Sequence, residues 1–209
     1  MKTIAKPLTS LVLLAGMGLA STAEASLIKR LGGLAVYDTD FNITWLANAN
    51  ANGQMTWTAA NTWAAGLNVG GFTGWRLPTS LQPDPSCSSQ GGGNSYNFNC
   101  TGSELGHLFY IEGGLTQGSH ITSSTVLSGL FSNMQNSVYW SGTETAPNSN
   151  DAWDFNTSGG SQYGDFKHSS NYAWAVRSGD VAAVPEPGVM GLLGIGALAW
   201  AGTRARRRG

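Results

Sequence analysis

Charge is scarce in this 209-residue sequence: Asp, Glu, Lys and Arg together make up 11% of it, and there are only three His and two Cys. Positive charge is the scarcer sign. Between 26 and 180 the bases are Lys29, Arg30, Arg76, Lys167 and Arg177, five against ten acids, so the segment carries −5. That balance excludes a nucleic-acid partner held through a basic face. His107, His120 and His168 stand far apart and show none of the paired spacings of a metalloprotease. A Gly-x-Ser-x-Gly elbow, a phosphate-binding loop and a dinucleotide fingerprint are all missing, so no cofactor is expected. No internal repeat at a fixed period is present, and a solenoid is unsupported. Asp38-Thr39-Asp40-Phe41-Asn42 has the first spacings of a calcium loop, but Ile43 stands where Gly is needed and Ala49 where Glu is needed. An EF-hand is rejected, and a turn between two strands explains the segment equally well.

Aromatic residues are not scarce. Seven of the eight Trp lie between 26 and 180, enough to anchor a core and to argue against disorder. Most are expected inside, with at most two reaching a surface cleft.

Both ends read as export signals. Lys2 and Lys6 precede an apolar run from Leu8 to Ala20, and Ala23-Glu24-Ala25 offers the small-x-small pattern of signal-peptidase cleavage between Ala25 and Ser26. At the other end Val184-Pro185-Glu186-Pro187 leads into an uncharged run to Thr203, followed by Arg204, Arg206, Arg207 and Arg208. Pro187 to Thr203 is 17 residues, about 25 Å as a helix, the short end of what spans a bilayer. The Arg cluster then lies on the cytoplasmic side, and the prolines keep the segment before the span extended and open to a processing enzyme. These three ordered parts resemble the PEP-CTERM sorting signal of Gram-negative bacteria. The resemblance implies transient anchoring in the inner membrane, processing by an exosortase, and release to the cell surface or exopolysaccharide matrix. The expected organisation is a signal peptide at 1–25, a domain at 26–180 and a sorting signal at 181–209.

In the domain, Cys87 and Cys100 flank a Gly-rich stretch. In an exported chain they read as a disulfide, and two Cys without a nearby His cannot complete a local tetrahedral metal site. Trp57, Ala60, Ala64 and Leu67 form one apolar helical stripe, with Thr56 as its cap and Gly70-Gly71 as its end. Thr101-Gly102-Ser103-Glu104 has capping-box spacing and opens a second helix, whose buried face is Leu105, Leu108 and Phe109 and whose end is Gly113-Gly114. His107 falls on the polar side of that helix and is expected in solvent. Strand-like alternation appears at 34–37, 43–46, 138–141, 152–155 and 172–177. Helices early and short strands late predict an α+β domain with antiparallel pairing, and its twenty-one Gly predict many turns.

The order Asn42-Ile43-Thr44-Trp45-Leu46, Gly74-Trp75-Arg76-Leu77-Pro78-Thr79, Tyr139-Trp140-Ser141-Gly142-Thr143 and Ala173-Trp174-Ala175-Val176-Arg177 resembles the Lcl C-terminal domain family. The resemblance spans about 34–180, and Trp75 to Thr79 is its most specific part. It implies a C-type-lectin-like or formylglycine-generating-enzyme-like fold: two helices, a small and mainly antiparallel sheet, and long irregular loops. It also implies binding, because the family includes an adhesin module that recognises sulfated polysaccharide. This domain departs from that case in charge, since −5 repels a polyanion and favours a neutral or weakly acidic extracellular glycan. Gln82-Pro83-Asp84 matches the galactose-type tripeptide of C-type lectins but also reads as a turn.

Arg76 and Arg177 lie in apolar, Trp-bearing segments. A buried guanidinium needs a carboxylate or carbonyl, so both are structural ion-pair candidates, with a partner for Arg76 expected on the late strands. The leading expectation is a non-enzymatic binding module. An enzyme derived from the formylglycine-generating fold requires a reactive Cys pair, and a structural matrix subunit requires self-association.

Overall fold

The computed structural model describes residues 26–181. In chain order its first elements are β1 (Leu27–Arg30), β2 (Ala35–Asp38), β3 (Ile43–Leu46), β4 (Gln54–Met55), α1 (Trp57–Ala65) and β5 (Trp75–Arg76). A hairpin of β6 (Ser89–Gly91) and β7 (Asn94–Tyr96) follows, then α2 (Glu104–His107), which continues as a π-helical turn over Leu108–Glu112. After α3 (Thr125–Leu130) come β8 (Val138–Glu144), β9 (Asp151–Asn156), β10 (Ser161–Phe166), β11 (Asn171–Tyr172) and β12 (Val176–Ser178). The strands build two five-stranded sheets, ordered β1-β2-β3-β12-β5 and β10-β9-β8-β11-β4. Every pairing is antiparallel except β11 with β8. The class is α+β with few helices and mainly antiparallel sheets, compatible with a C-type-lectin-like arrangement.

The two sheets share one core, and Trp174 sits at its seam. It lies between β11 in the second sheet and β12 in the first, so the stretch expected as a single strand over 172–177 divides there. Its ring centroid is 5.3 Å from Trp45, 5.0 Å from Phe131 and 5.7 Å from Tyr139. Its indole N–H donates to the Leu46 carbonyl at 2.7 Å. A fully buried indole donor without a partner is costly, so this bond fixes the ring's orientation as well as its depth. Of the seven Trp among the described residues, Trp57 and Trp63 are half-buried and the other five are inside.

The structure departs from the sequence reading in the helices. α1 buries Ala60 and Ala64 as the stripe predicts, but the Thr56 hydroxyl makes no capping bond and the helix already ends at Gly66. The second helix starts after Ser103 rather than at Thr101, because the Glu104 carboxylate is held elsewhere. A third helix, α3, is capped by Ser124, whose hydroxyl oxygen accepts from the Leu127 N–H at 3.3 Å. Its six residues are too few for a periodic signal.

Glu104 is bound by Arg76 through two parallel bonds, Nη1 to Oε2 at 2.8 Å and Nη2 to Oε1 at 2.7 Å. The partner expected on the late strands is thus at the start of α2. Glu104 Oε2 also accepts the Thr79 N–H at 2.7 Å, while the Glu104 N–H donates to the Thr79 carbonyl at 3.0 Å. The intervening Pro78 carbonyl takes the Gly142 N–H of β8 at 2.8 Å. Residues 75–79 therefore join the edge of the first sheet, the second sheet and α2. The Cys87–Cys100 disulfide closes the base of the β6–β7 hairpin just ahead of the same helix. Gly106 permits that approach, because a Cβ there would stand 1.9 Å from the Cys100 carbonyl oxygen.

Arg76 is 35% exposed while Glu104 is 6% exposed, so loss of the arginine leaves a buried carboxylate with half its partners. Arg76→Ala is expected to cost about 2–4 kcal/mol, and Arg76→Lys a substantial part of that, because an ammonium cannot make the two-point contact. Urea denaturation of both variants checks this; an unchanged midpoint would assign Arg76 to something other than holding the fold.

Candidate functional site

The β2–β3 turn and the π-helical turn meet over a small polar cluster. Asp38 closes β2 and is fully buried. Its Oδ1 accepts the N–H groups of Asp40 at 3.0 Å and Phe41 at 3.1 Å, which shapes the turn expected from the Asp-Thr-Asp-Phe-Asn string. Its Oδ2 is also buried and has no hydrogen-bond partner among the described residues. His107 and Glu112 come from the helix opposite. The Gly113 N–H bonds to the Leu108 carbonyl at 2.9 Å, five residues back, and this wider turn brings two side chains five apart onto one side. His107 Nε2 lies 3.4 Å from Glu112 Oε1 and 3.7 Å from Asp40 Oδ2. The Phe41 ring packs on the imidazole at 4.4 Å. His107 is thus buried rather than in solvent, because the helix side expected to be polar faces the first sheet.

Burial pushes the Asp38 carboxyl above its ordinary value, the Phe41 and Asp40 N–H groups only partly opposing it, while the nearby Glu112 charge raises it further. Burial acts the same way on Glu112, but hydrogen bonds from His107 and Ser26 and the His107 charge outweigh it and hold that carboxyl below the usual range. Ser26, the first residue expected after signal cleavage, donates its hydroxyl to Glu112 Oε2. Beside this contact opens an apolar cleft of about 460 Å³ lined by Ser26, Leu27, Ile111, Glu112, Val126 and Leu130. It offers no aromatic ring.

Aromatic rings reach solvent elsewhere. Tyr163 and Phe166 on β10 are 45% and 55% exposed. Tyr163 lies 6.2 Å from the Tyr96 ring, and its hydroxyl donates to Asn97 Oδ1 at 3.0 Å. The result is a pair of tyrosines beside the Asn97 amide, Tyr163 on the outer strand of the second sheet and the half-buried Tyr96 on β7 of the hairpin. Asp154 pairs with Tyr163 in register and is nearly buried. Burial first, then the charge of Asp165, pushes its carboxyl up to about 8 despite the Tyr163 backbone N–H. It is therefore protonated at neutral pH and can donate a hydrogen bond.

The other sequence candidates do not gather at one place. Arg177 takes carbonyl partners, with Nε on Thr73 at 3.2 Å and Nη1 on Asp180 at 3.4 Å, and its guanidinium lies 5.3 Å from the Phe72 ring centre. In the Gln82-Pro83-Asp84 string, Gln82 bonds both backbone groups of Ser95, and Asp84 is buried against Ser86 and Gly102. Those polar groups are used inside the domain, and the galactose-type reading is dropped. Trp57, the half-buried indole nearest to a sugar platform by type, is covered by Lys167 Nζ at 4.4 Å. Ala25, Val184, Pro185, Glu186, Pro187 and the four arginines of the tail lie outside the described residues. Among the described residues no helix is long and apolar enough to cross a membrane.

The model of the Lcl C-terminal domain matches residues 34–177. The chain belongs to this family. The PEP-CTERM protein-sorting motif matches 183–208, so the Lcl C-terminal domain is carried by an exported protein that has a C-terminal membrane anchor before exosortase processing. No curated relative matches the chain. The Trp-Arg-Leu-Pro-Thr segment that carries the family resemblance is the clamp described above, a structural element, and neither the polar cluster nor the tyrosine pair was visible as a motif.

Asp154 gives the domain a pH signature. Its folded value of about 8 lies above that of an unfolded Asp, so the folded state holds a proton that the unfolded chain has lost through the range between them. Stability is therefore highest below the unfolded value and falls as pH rises through about 8. Melting curves from about pH 6 to pH 9 are expected to drop for the natural protein. Asp154→Asn should flatten that drop, with an advantage at the alkaline end on the order of 2–4 kcal/mol.

Proposed function

We propose that this is a non-enzymatic cell-surface or exopolysaccharide-matrix protein whose Lcl C-terminal domain binds a neutral or weakly acidic glycan through the Tyr96–Tyr163 face. The observation that carries this reading is the Tyr96–Tyr163 pair, exposed at Tyr163 and half-buried at Tyr96, with its Asn97 contact. Aromatic faces stack on the C–H side of a sugar ring, and amides and hydroxyls around them bond its oxygens. The −5 balance supports an uncharged ligand over the sulfated polysaccharides bound by the adhesin relative. The alternative of an enzyme on a formylglycine-generating scaffold is weakened, because Cys87 and Cys100 are joined and no free thiol remains among the described residues.

The secreted protein applied to a glycan array is expected to retain neutral or weakly acidic polysaccharides, and Tyr163→Ala should weaken that binding roughly 3- to 10-fold without unfolding the domain. Retention of sulfated glycans alone would overturn the reading. Self-association with no glycan retained would favour the structural matrix subunit.

Processing supplies the second test. Replacing Pro185, Glu186 and Pro187 together with Ala is expected to leave the protein in the inner membrane with Arg204, Arg206, Arg207 and Arg208 attached. Secreted material that still carries those arginines, detected by mass spectrometry, would show that release does not depend on the motif.

A further inference from the structure

We propose that Asp38, His107 and Glu112 form a divalent-cation site suited to Zn²⁺, at the junction of the β2–β3 turn and the π-helical turn. One ligand atom from each residue lies within 4.8 Å of the other two. A group of acids alone would say little. The second observation is Asp38 Oδ2, an oxygen in a fully buried side chain that finds no hydrogen-bond donor among the described residues. Such an atom is costly unless a proton, a cation or a donor occupies the space beside it.

The geometry around His107 points to a cation. A charge-assisted bond between imidazole and carboxylate closes to about 2.7–2.9 Å, and the His107–Glu112 hydrogen bond is long beside it, with Nε2 3.4 Å from Oε1. Two ligands of one tetrahedral zinc, at bond lengths of about 2.0–2.2 Å, stand roughly 3.4 Å apart. Asp40 Oδ2, 3.7 Å from the same nitrogen and half exposed, faces the open side where a fourth ligand or water would enter. Two carboxylates and one imidazole form the borderline donor set that zinc accepts, whereas Ca²⁺ and Mg²⁺ select oxygen throughout. The site joins the N-terminal hairpin to α2, so the ion would fasten the first sheet to the helix without meeting the tyrosine face.

The test is titration of the chelator-treated secreted protein with Zn²⁺ at neutral pH, read by binding heat and melting temperature, with Ca²⁺ and Mg²⁺ in parallel. One Zn²⁺ per chain with a raised melting temperature is expected, and His107→Gln or Asp38→Asn should weaken binding at least about tenfold. Asp38→Asn preserves side-chain shape and the Oδ1 contacts to the turn, so it reports on the site even if His107→Gln fails to fold. Co²⁺ in place of Zn²⁺ should give the visible bands of a tetrahedral nitrogen-and-oxygen site, and Asp38→Asn should abolish them. Zn²⁺ binding that survives Asp38→Asn, or that is lost when His120 and His168 are replaced instead, overturns the site. A preference for Ca²⁺ overturns it too, as does the absence of saturable Zn²⁺ binding, which would leave a proton as the partner of Asp38.

Discussion

The reciprocal clamp between Arg76, Thr79 and Glu104 is the constraint on which the other features rest. Two guanidinium bonds, one backbone N–H to the carboxylate and one backbone bond in return hold residues 75–79 to the first turn of α2. That turn sets where the π-helical turn falls, and the π-helical turn decides that His107 and Glu112 face Asp38. The same short segment touches β8 where the Pro78 carbonyl accepts the Gly142 N–H, and Ser80 just beyond it donates its N–H to Thr143 Oγ1, so both sheets take their position from it. A family-specific string with one charge in an apolar setting is what such a joint requires, because an ion pair with a planar donor fixes direction where packing alone fixes only depth.

The clamp and the Asp38 cluster treat buried charge in opposite ways. Glu104 has its oxygens filled by donors, a satisfied carboxylate that needs nothing more. Asp38 has one oxygen filled by the turn and one left over. Of the buried side-chain atoms without a partner among the described residues, only Asp38 Oδ2 belongs to a cluster of possible cation ligands. Asp154 shows the third solution, in which burial beside Asp165 favours the neutral acid.

Sequence patterning was informative where the period was long and the environment one-sided. β3 falls on the expected Ile43–Leu46, though all four of its residues are buried and none alternates outward; α1 buries Ala60 and Ala64 of its predicted stripe, and the Cys pair in an exported chain reads directly as a disulfide. It failed where tertiary contacts override local rules. Thr101 and Glu104 have capping-box spacing, but Arg76 offers Glu104 a stronger, two-point partner, so the helix starts later. The side of α2 expected to be polar packs on the β2–β3 turn, where Phe41 covers the imidazole, so His107 is buried. β10, Ser-Gln-Tyr-Gly-Asp-Phe, lacks the apolar alternation of a strand because its outer position leaves Tyr163 and Phe166 in solvent. The spacing within Asp38–Asn42 resembles the start of a calcium loop, but the residues that gather at Asp38 are His107 and Glu112, almost seventy positions away, which no local spacing contains.

The formal −5 of the domain also gains meaning from where its bases are. Arg30 holds Asp180, Arg76 holds Glu104 and Lys167 holds Glu144, and Arg177 lies against Phe72 with its bonds on carbonyls. Four of the five bases therefore have partners within the domain, three on separate strands of the first sheet and Lys167 in the turn after β10. A polyanion would have to displace those partners one by one and meet the remaining acids as it did so, losing Coulomb energy on both counts. An uncharged sugar faces neither cost at the tyrosine pair, where burial and the Asp165 charge hold the Asp154 carboxyl well above the usual carboxylate range. Scarce and already-paired positive charge thus argues for the same ligand class as the exposed aromatic face does, from independent physics.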